Sequence, residues 1–218
     1  MDQLASGVGK AGCLIRLNWK TLEYKYFPFD PEAHGYKLVL LDSCVKHELA
    51  SSAYNDRRAS CERAAREIAK HHPEVEYLSD ANRSWLEEVR DSISEEDYLR
   101  AEYVIGELQR VLDVCDALER EDYITVGEMM YQTHFGLSRI YEVSCEELDF
   151  LNRVARKMDV TGSRVMGGGF GGCTINLVRK EIYEHFIAET KKQFREKFGH
   201  EPKVYDVVIS DGAHTIKD

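Results

Sequence analysis

The segment Gly167–Gly172 constrains the fold of this chain more than any other, because five of its six residues are glycine. It separates two strand-like segments, the second of which is Cys173-Thr-Ile-Asn-Leu-Val178. A loop without Cβ atoms lets its backbone amides come close to a phosphate or to another stretch of backbone. The pattern therefore predicts either a phosphate-side loop or a tight bend where the sheet packs against a neighbour.

This loop differs from the two common glycine motifs that bind phosphates. It leads into a strand instead of a helix, which excludes a dinucleotide-binding fingerprint. No Gly-Lys-Ser or Gly-Lys-Thr follows it, which excludes a P-loop. The two interpretations of the glycines stay open on spacing alone.

Hydrophobic periodicity predicts strands in the first part of the chain. Residues 13–17 and 22–26 are expected to pair as a hairpin, and residues 36–41 are expected to form a more buried strand. From residue 51 to about residue 157 the period becomes helical, with its clearest stripe over 98–118.

The later part of the chain predicts helices and strands in turn. Capping-box patterns at Ser92–Glu95 and Ser144–Glu147 are typical of helix starts. After the glycine loop and its second strand, a helix is expected over 182–198 and a last strand over 204–209. Strands on both sides of a helical middle indicate an α+β protein.

Composition excludes several classes of protein. The chain has 39 acidic and 29 basic residues and a net charge of -10, which disfavours nucleic acid and anionic membrane surfaces as partners. Its longest apolar run, Leu38–Leu41, is far shorter than the ~20 residues of a membrane span. The first residues lack the basic and apolar parts of a signal peptide, and the six cysteines show no CxxC. We therefore expect a cytoplasmic protein with free thiols.

Two further places hold candidate functional residues. Asp2 is either an ordinary helix N-cap or a functional carboxylate. The segment 46–58 opens a helix with His47, Tyr54 and Arg57, where free amides and the helix dipole favour an anion or sugar hydroxyls. In the alternative, Arg57 and Arg58 are solvated and Tyr54 packs in the core. The remaining histidines are scattered, and we interpret them as surface or hydrogen-bonded residues.

Taken together, these segments resemble galactokinases, a group within the GHMP small-molecule kinase family. The resemblance covers almost the whole chain, and the glycine motif is shared by GHMP kinases generally. The matching blocks follow in order as Met1–Gln3, Val45–Arg58, Arg100–Glu107, Tyr141–Asp149, Gly162–Cys173 and Ser210–Ala213.

The resemblance implies a particular α+β fold. Residues 50–218 are expected to form the GHMP kinase C-terminal domain, which is ferredoxin-like with helical insertions. Residues 1–49 are expected to be the end of a mixed-sheet N-terminal domain. Strands there would lack upstream partners and expose edges, which predicts self-association of the chain.

The resemblance also implies an activity, phosphoryl transfer from MgATP to the C1 hydroxyl of galactose. Asp2 matches the catalytic aspartate, which also contacts the sugar, and Tyr54 matches a tyrosine that contacts the sugar. The glycine loop is expected beside the phosphates, through Gly167, Gly168, Gly169, Gly171 and Gly172.

The family's remaining active-site blocks are absent from these 218 residues. They are the sugar-binding Gly-Glu-His-Thr-Asp-Tyr block, the loop that binds ATP phosphates and the magnesium ligands, all of which lie upstream in the family. We therefore expect no metal ligand in this chain and little activity from it alone. The alternatives are a non-catalytic sugar-sensing or interaction module derived from a galactokinase, and an effector-binding domain that uses the glycine loop.

Overall fold

The computed structural model of the chain describes residues 2–45 and 50–214. Short strands lie towards both ends, and a succession of helices occupies the middle. The strands are β1 Cys13–Leu17, β2 Tyr24–Pro28, β3 Tyr36–Asp42, β4 Gly162–Val165, β5 Cys173–Arg179 and β6 Lys203–Asp206. The helices are α1 Asp2–Val8, α2 Ala50–Ala69, α3 Arg83–Glu88, α4 Glu95–Glu119, α5 Tyr123–Arg139, α6 Glu146–Lys157 and α7 Tyr183–Phe198.

Strands β1 and β2 form the predicted antiparallel hairpin, with Leu17 opposite Tyr24 at its turn end. β2 begins at Tyr24 instead of Leu22 because Leu22 has a φ of 60° and belongs to the turn. Its amide donates a hydrogen bond of 2.8 Å to the carbonyl of Asn18, and a left-handed residue cannot continue an extended strand.

The second sheet has four antiparallel strands in the order β4-β5-β3-β6. With α6 before β4 and α7 between β5 and β6, the chain follows the β-α-β-β-α-β path of a ferredoxin-like domain. Helices α2 to α5 are inserted between the first strand of this path and α6. The predicted α+β class, with helical insertions in a ferredoxin-like domain, is confirmed.

The alternation of side chains along β3 and β5 gives this sheet two buried faces. On one face, Val39, Leu41 and Val178 pack with α6 and α7 around Phe186. On the other face, Leu38 and Leu177 pack with the β1–β2 hairpin and with residues of α4 and α5. A separate apolar cluster joins α2, α3 and the first half of α4. Because successive strand residues point to opposite faces, one central strand serves both cores.

The hydrogen-bonded sheet crosses the predicted domain boundary at residues 49 and 50. β3 lies before that boundary, yet it pairs with β5 from Tyr36 opposite Arg179 to Asp42 opposite Cys173. The pairing of β3 with β5 and β6 therefore joins part of the segment 1–49 to the sheet of the later residues. The assignment of residues 1–49 to an N-terminal domain stays a prediction.

Both predicted capping boxes are displaced in the structure. Ser92 ends a short 3₁₀ turn, and Ser94 caps α4 by accepting the amide of Asp97 at 3.1 Å. Cys145, which makes no side-chain capping bond, occupies the N-cap of α6. The hydroxyl of Ser144, the predicted cap, donates instead to Asp149 at 2.6 Å. Both helices still begin within two residues of the predicted place.

None of the helices in the described part of the chain combines the length and the apolar content that a membrane crossing requires.

Candidate functional site

The glycine loop is the turn that joins β4 to β5. Val165 lies opposite Thr174, and the amide of Met166 donates to the carbonyl of Cys173 at 3.0 Å to close the hairpin. Left-handed φ angles occur at Gly167, Gly169, Phe170, Gly171 and Gly172. Four of these five positions are glycine, the residue that adopts such angles at low cost.

One half of this loop is tightly packed against two other backbone segments. A Cβ on Gly169 would lie 2.0 Å from the carbonyl oxygen of Val143, and one on Gly171 would lie 2.6 Å from that of Val45. The amide of Phe170 donates to Val143 at 2.6 Å, and Ser43 donates to the carbonyl of Gly172 from its amide and its hydroxyl. These contacts correspond to the bend interpretation of the loop.

The other half of the loop is open. No described heavy atom lies within 4 Å of a Cβ placed on Gly167 or on Gly168. An exposed turn of this kind leaves room for a ligand group to approach the backbone closely. The loop thus has a packed half and an open half.

Helix α2 is tied to the same loop through Arg57. Its Nε donates to the carbonyl of Tyr141 at 2.5 Å, and its Nη2 donates to the carbonyl of Glu142 at 3.1 Å. The next residue along the chain is Val143, which holds the loop. Arg57, whose side chain is 13% exposed, is therefore a structural link and not a solvated surface arginine, whereas Arg58 is exposed and pairs with Glu62.

Tyr54 lies on α2 about one turn before Arg57, and its side chain is 56% exposed. The alternative in which Tyr54 packs in the core is therefore wrong. His47, from the same candidate segment, lies outside the described residues.

Asp2 lies exposed in the first turn of α1. This helix docks on the Ser210–Ala213 block: the amide of Gly212 donates to the carbonyl of Gly9 at 2.8 Å, and that of Ala213 donates to Ser6 at 2.7 Å. Two blocks at opposite ends of the resemblance thus lie side by side. Among the described contacts, none joins Asp2 to Tyr54 or to the glycine loop, so their relation at a site stays a prediction.

A buried polar network between α5 and α6 was missed by the sequence analysis. Asp149 accepts hydrogen bonds from Ser138 at 2.8 Å and from Ser144 at 2.6 Å, and it lies 3.3 Å from Nε2 of the buried His134. Burial acts to raise the pKa of Asp149, but these hydrogen bonds outweigh it and lower the pKa to about 2. His134 is the scattered histidine that departs most from expectation, since its Nδ1 is buried without a hydrogen-bond partner. The spacing of Ser138, Ser144 and Asp149 gave no signal, because the network joins two helices and the loop between them.

Within residues 2–45 and 50–214, no group of three or more His, Cys, Asp or Glu side chains is placed to hold a metal ion. All six cysteines are free thiols, and Cys115 is the buried one.

Comparison with known proteins shows which family and which solved structures this chain is similar to. Residues 115–194 match the family model described as GHMP kinases C terminal. A curated galactokinase of Clostridium acetobutylicum is 39% identical over 99% of this chain and 55% of its own length. One of Thermotoga neapolitana is 37% identical over 99% of this chain and 59% of its own length. The chain thus spans a little more than half the length of the curated relatives it matches.

Two solved structures are also similar to this chain. The crystal structure of Lactococcus lactis galactokinase complexed with galactose matches with a TM-score of 0.89 and 27% identity, over 98% of this chain and 55% of that one. A mevalonate kinase of L. major in complex with R-mevalonate matches with a TM-score of 0.53 and 17% identity, over 93% of this chain and 50% of that one. The second match concerns the fold alone.

Proposed function

We propose that this chain, whose residues 115–194 match the model described as GHMP kinases C terminal, contributes to galactokinase activity, the transfer of a phosphoryl group from ATP to the C1 hydroxyl of galactose. The observation that carries the proposal is 39% identity to a galactokinase over 99% of the chain. In the proposed step, the C1 oxygen forms a bond to the γ-phosphorus, the bond between that phosphorus and the β,γ-bridging oxygen breaks, and ADP leaves.

We assign Asp2 as the group that accepts the proton of the C1 hydroxyl. An ionised carboxylate within hydrogen-bond reach of the hydroxyl is what such an attack requires. Its exposed position in the first turn of α1 leaves the carboxylate free to meet a substrate. Tyr54, exposed on α2, is assigned as a contact to the sugar.

The open half of the glycine loop is assigned to the phosphate side of the site. Gly167 and Gly168 leave their backbone accessible, while the packed half fixes the loop through Val143 and Val45. Preorganised backbone donors of this kind stabilise developing charge without reorganising during the reaction.

Magnesium accompanies ATP in such reactions, where it neutralises charge on the phosphates. The resemblance to galactokinases implies that the protein ligands of this magnesium lie upstream of the segments that match this chain. The roles assigned above therefore involve no metal ligand from this chain, and we expect the chain alone to turn over little substrate.

An activity assay with a fusion protein tests the proposal. In the fusion, this chain replaces the 218-residue matching part of the Clostridium acetobutylicum galactokinase, and galactose-dependent ADP release is measured. We expect an active fusion and a far slower isolated chain. Asp2→Asn in the fusion is expected to lower kcat by about a hundredfold or more, while Tyr54→Phe is expected mainly to raise KM for galactose.

The matched control is Tyr77→Phe, which removes the hydroxyl of another exposed tyrosine. A fusion that keeps full kcat with Asp2→Asn would overturn the catalytic assignment. Turnover by the isolated chain at an ordinary kinase rate would overturn its expected inactivity. Calorimetric binding of galactose to the isolated chain without turnover would favour the sugar-sensing alternative.

A further inference from the structure

A cavity of about 640 Å³ lies between α5 and α6, apart from the glycine loop. Its wall includes Tyr103 of α4, whose ring approaches so closely that a Cβ on Gly136 would lie 2.1 Å from it. Cavities of this volume are typical of sites for small molecules.

Positive charge surrounds this cavity. Arg139, at the end of α5, and Arg153 and Arg156, on α6, all line it and are exposed. Within the described residues, no carboxylate lies at ion-pair distance from these three guanidinium groups. Arg156 instead lies over the ring of Tyr131 at 4.2 Å, and Arg153 lies over that of Phe150 at 5.5 Å. Stacking orients a guanidinium group while leaving its N–H donors available.

The negative charge of the cavity is already compensated. Among the lining residues Asp149 is the one carboxylate, and it is engaged by Ser138, Ser144 and His134. A fourth arginine on the wall, Arg110, pairs with Glu107 at 2.6 Å. The cavity therefore carries excess positive charge in a chain whose net charge is -10.

We propose that this cavity binds a phosphate-bearing small molecule through Arg139, Arg153 and Arg156. Arginine forms paired, charge-assisted hydrogen bonds with phosphate oxygens. A small molecule fits better than a polyanion, because the site is concave and the chain as a whole carries a net charge of -10, which repels an extended polyanion. Phe135, 61% exposed on the same wall, offers an apolar face to the organic part of the ligand.

Calorimetric titration of the full chain tests the proposal with three probes, which are inorganic pyrophosphate, galactose 1-phosphate and ADP. Comparison of the probes distinguishes a bare phosphate from a sugar phosphate or a nucleotide. We expect saturable binding of at least one probe, weakened about tenfold or more by the double substitution Arg153→Gln and Arg156→Gln. The matched control is Arg66→Gln, which changes an exposed helical arginine outside the cavity and is expected to leave the affinity within about twofold.

A second measurement maps the binding site without any substitution. Backbone amide shifts in NMR spectra are expected to move around residues 135–140 and 152–156 when the bound probe is added. Absence of saturable binding for all three probes would overturn the proposal. So would shift changes confined to the glycine loop, or equal weakening by Arg66→Gln, because the anion would then bind elsewhere. The outcome is independent of galactokinase activity, since no arm of the experiment measures turnover.

Discussion

The amide of Phe170 donates a hydrogen bond of 2.6 Å to the carbonyl of Val143, across the point where a Cβ on Gly169 would meet the same oxygen. The glycine loop is thus fixed by a neighbouring backbone, and its residues are not equivalent.

Alanine substitutions along the loop are expected to differ in cost. Gly169→Ala combines a φ of 79° with a clash, and we expect it to lower the free energy of unfolding by more than about 2 kcal/mol. Gly167 has a φ of 73°, but a Cβ there would meet open space, so Gly167→Ala is expected to lower the free energy of unfolding by about 1 kcal/mol. Gly168→Ala, with neither problem, is the control. Urea unfolding measures the series, and equal midpoints for all three variants would contradict it.

Arg57→Lys is expected to loosen α2 from the segment that holds the loop. Lysine keeps the positive charge but has no rigid fork of N–H donors with which to bond two successive carbonyls. We therefore expect the free energy of unfolding to fall by about 1–2 kcal/mol. Arg58→Lys affects an exposed pair with Glu62 and is expected to change stability by less than about 0.5 kcal/mol. Thermal unfolding compares the two neighbours, and the prediction would be refuted by equal losses.

Acid is expected to remove the stabilisation contributed by Asp149. The pKa of its carboxyl group is about 2 in the folded chain and 3.8 as a reference, so the stabilisation is present above about pH 4 and is lost as pH falls towards 2. The difference in unfolding free energy between the wild type and Asp149→Asn should narrow by about 1.5 kcal/mol between about pH 6 and about pH 2.5. Ser138→Ala, which removes one donor, should show part of this effect. A constant difference across pH would argue against the network.

Two helical glycines are expected to respond to alanine in opposite directions. A Cβ on Gly127 of α5 would lie 2.0 Å from the carbonyl oxygen of Thr161, whereas one on Gly106 of α4 would meet no described atom within 4 Å. Gly127→Ala should therefore destabilise the chain by about 2 kcal/mol or more. Gly106→Ala should stabilise it by up to about 1 kcal/mol. Urea unfolding decides, and a stabilised Gly127→Ala variant would contradict the packing of α5 on β4.

Local patterns predicted the bounds of β1, β3 and β5 closely, but the strand expected over 204–209 is β6 Lys203–Asp206, which ends three residues early. The same patterns failed where a side chain bonds to a partner outside the local motif, or where an apolar face is left uncovered. Ser144 resembles a cap in the sequence, but its hydroxyl donates to Asp149. Leu108 and Leu112 continue the helical stripe of α4, yet they are 38% and 43% exposed. A sequence period reports an apolar face without naming what covers it.

For the candidate site, the sequence likewise predicted the kind of local structure but not the residues that contact it. The glycine composition indicated close approach, but only the fold reveals that Val143 and Val45 are the neighbours. The sequence does not distinguish Arg57 from Arg58, since both are arginines in the same helical segment. In the fold, adjacent residues on a helix point in different directions, and only Arg57 meets the carbonyls of Tyr141 and Glu142. The arginine-lined cavity joins α5 to α6, and no short motif encodes it.

The central position of β3 has a consequence for synthesis of the chain. Its partner β5 follows after the whole helical insertion, as the pairing of Asp42 with Cys173 shows. During synthesis on the ribosome, β3 emerges before its partners, and Val39 and Leu41 stay uncovered until β5 and β6 have been made. Contacts so distant in sequence form slowly and leave apolar strands exposed in the meantime. The nascent chain is therefore expected to be most vulnerable to aggregation, and most in need of a chaperone, while the insertion is being translated.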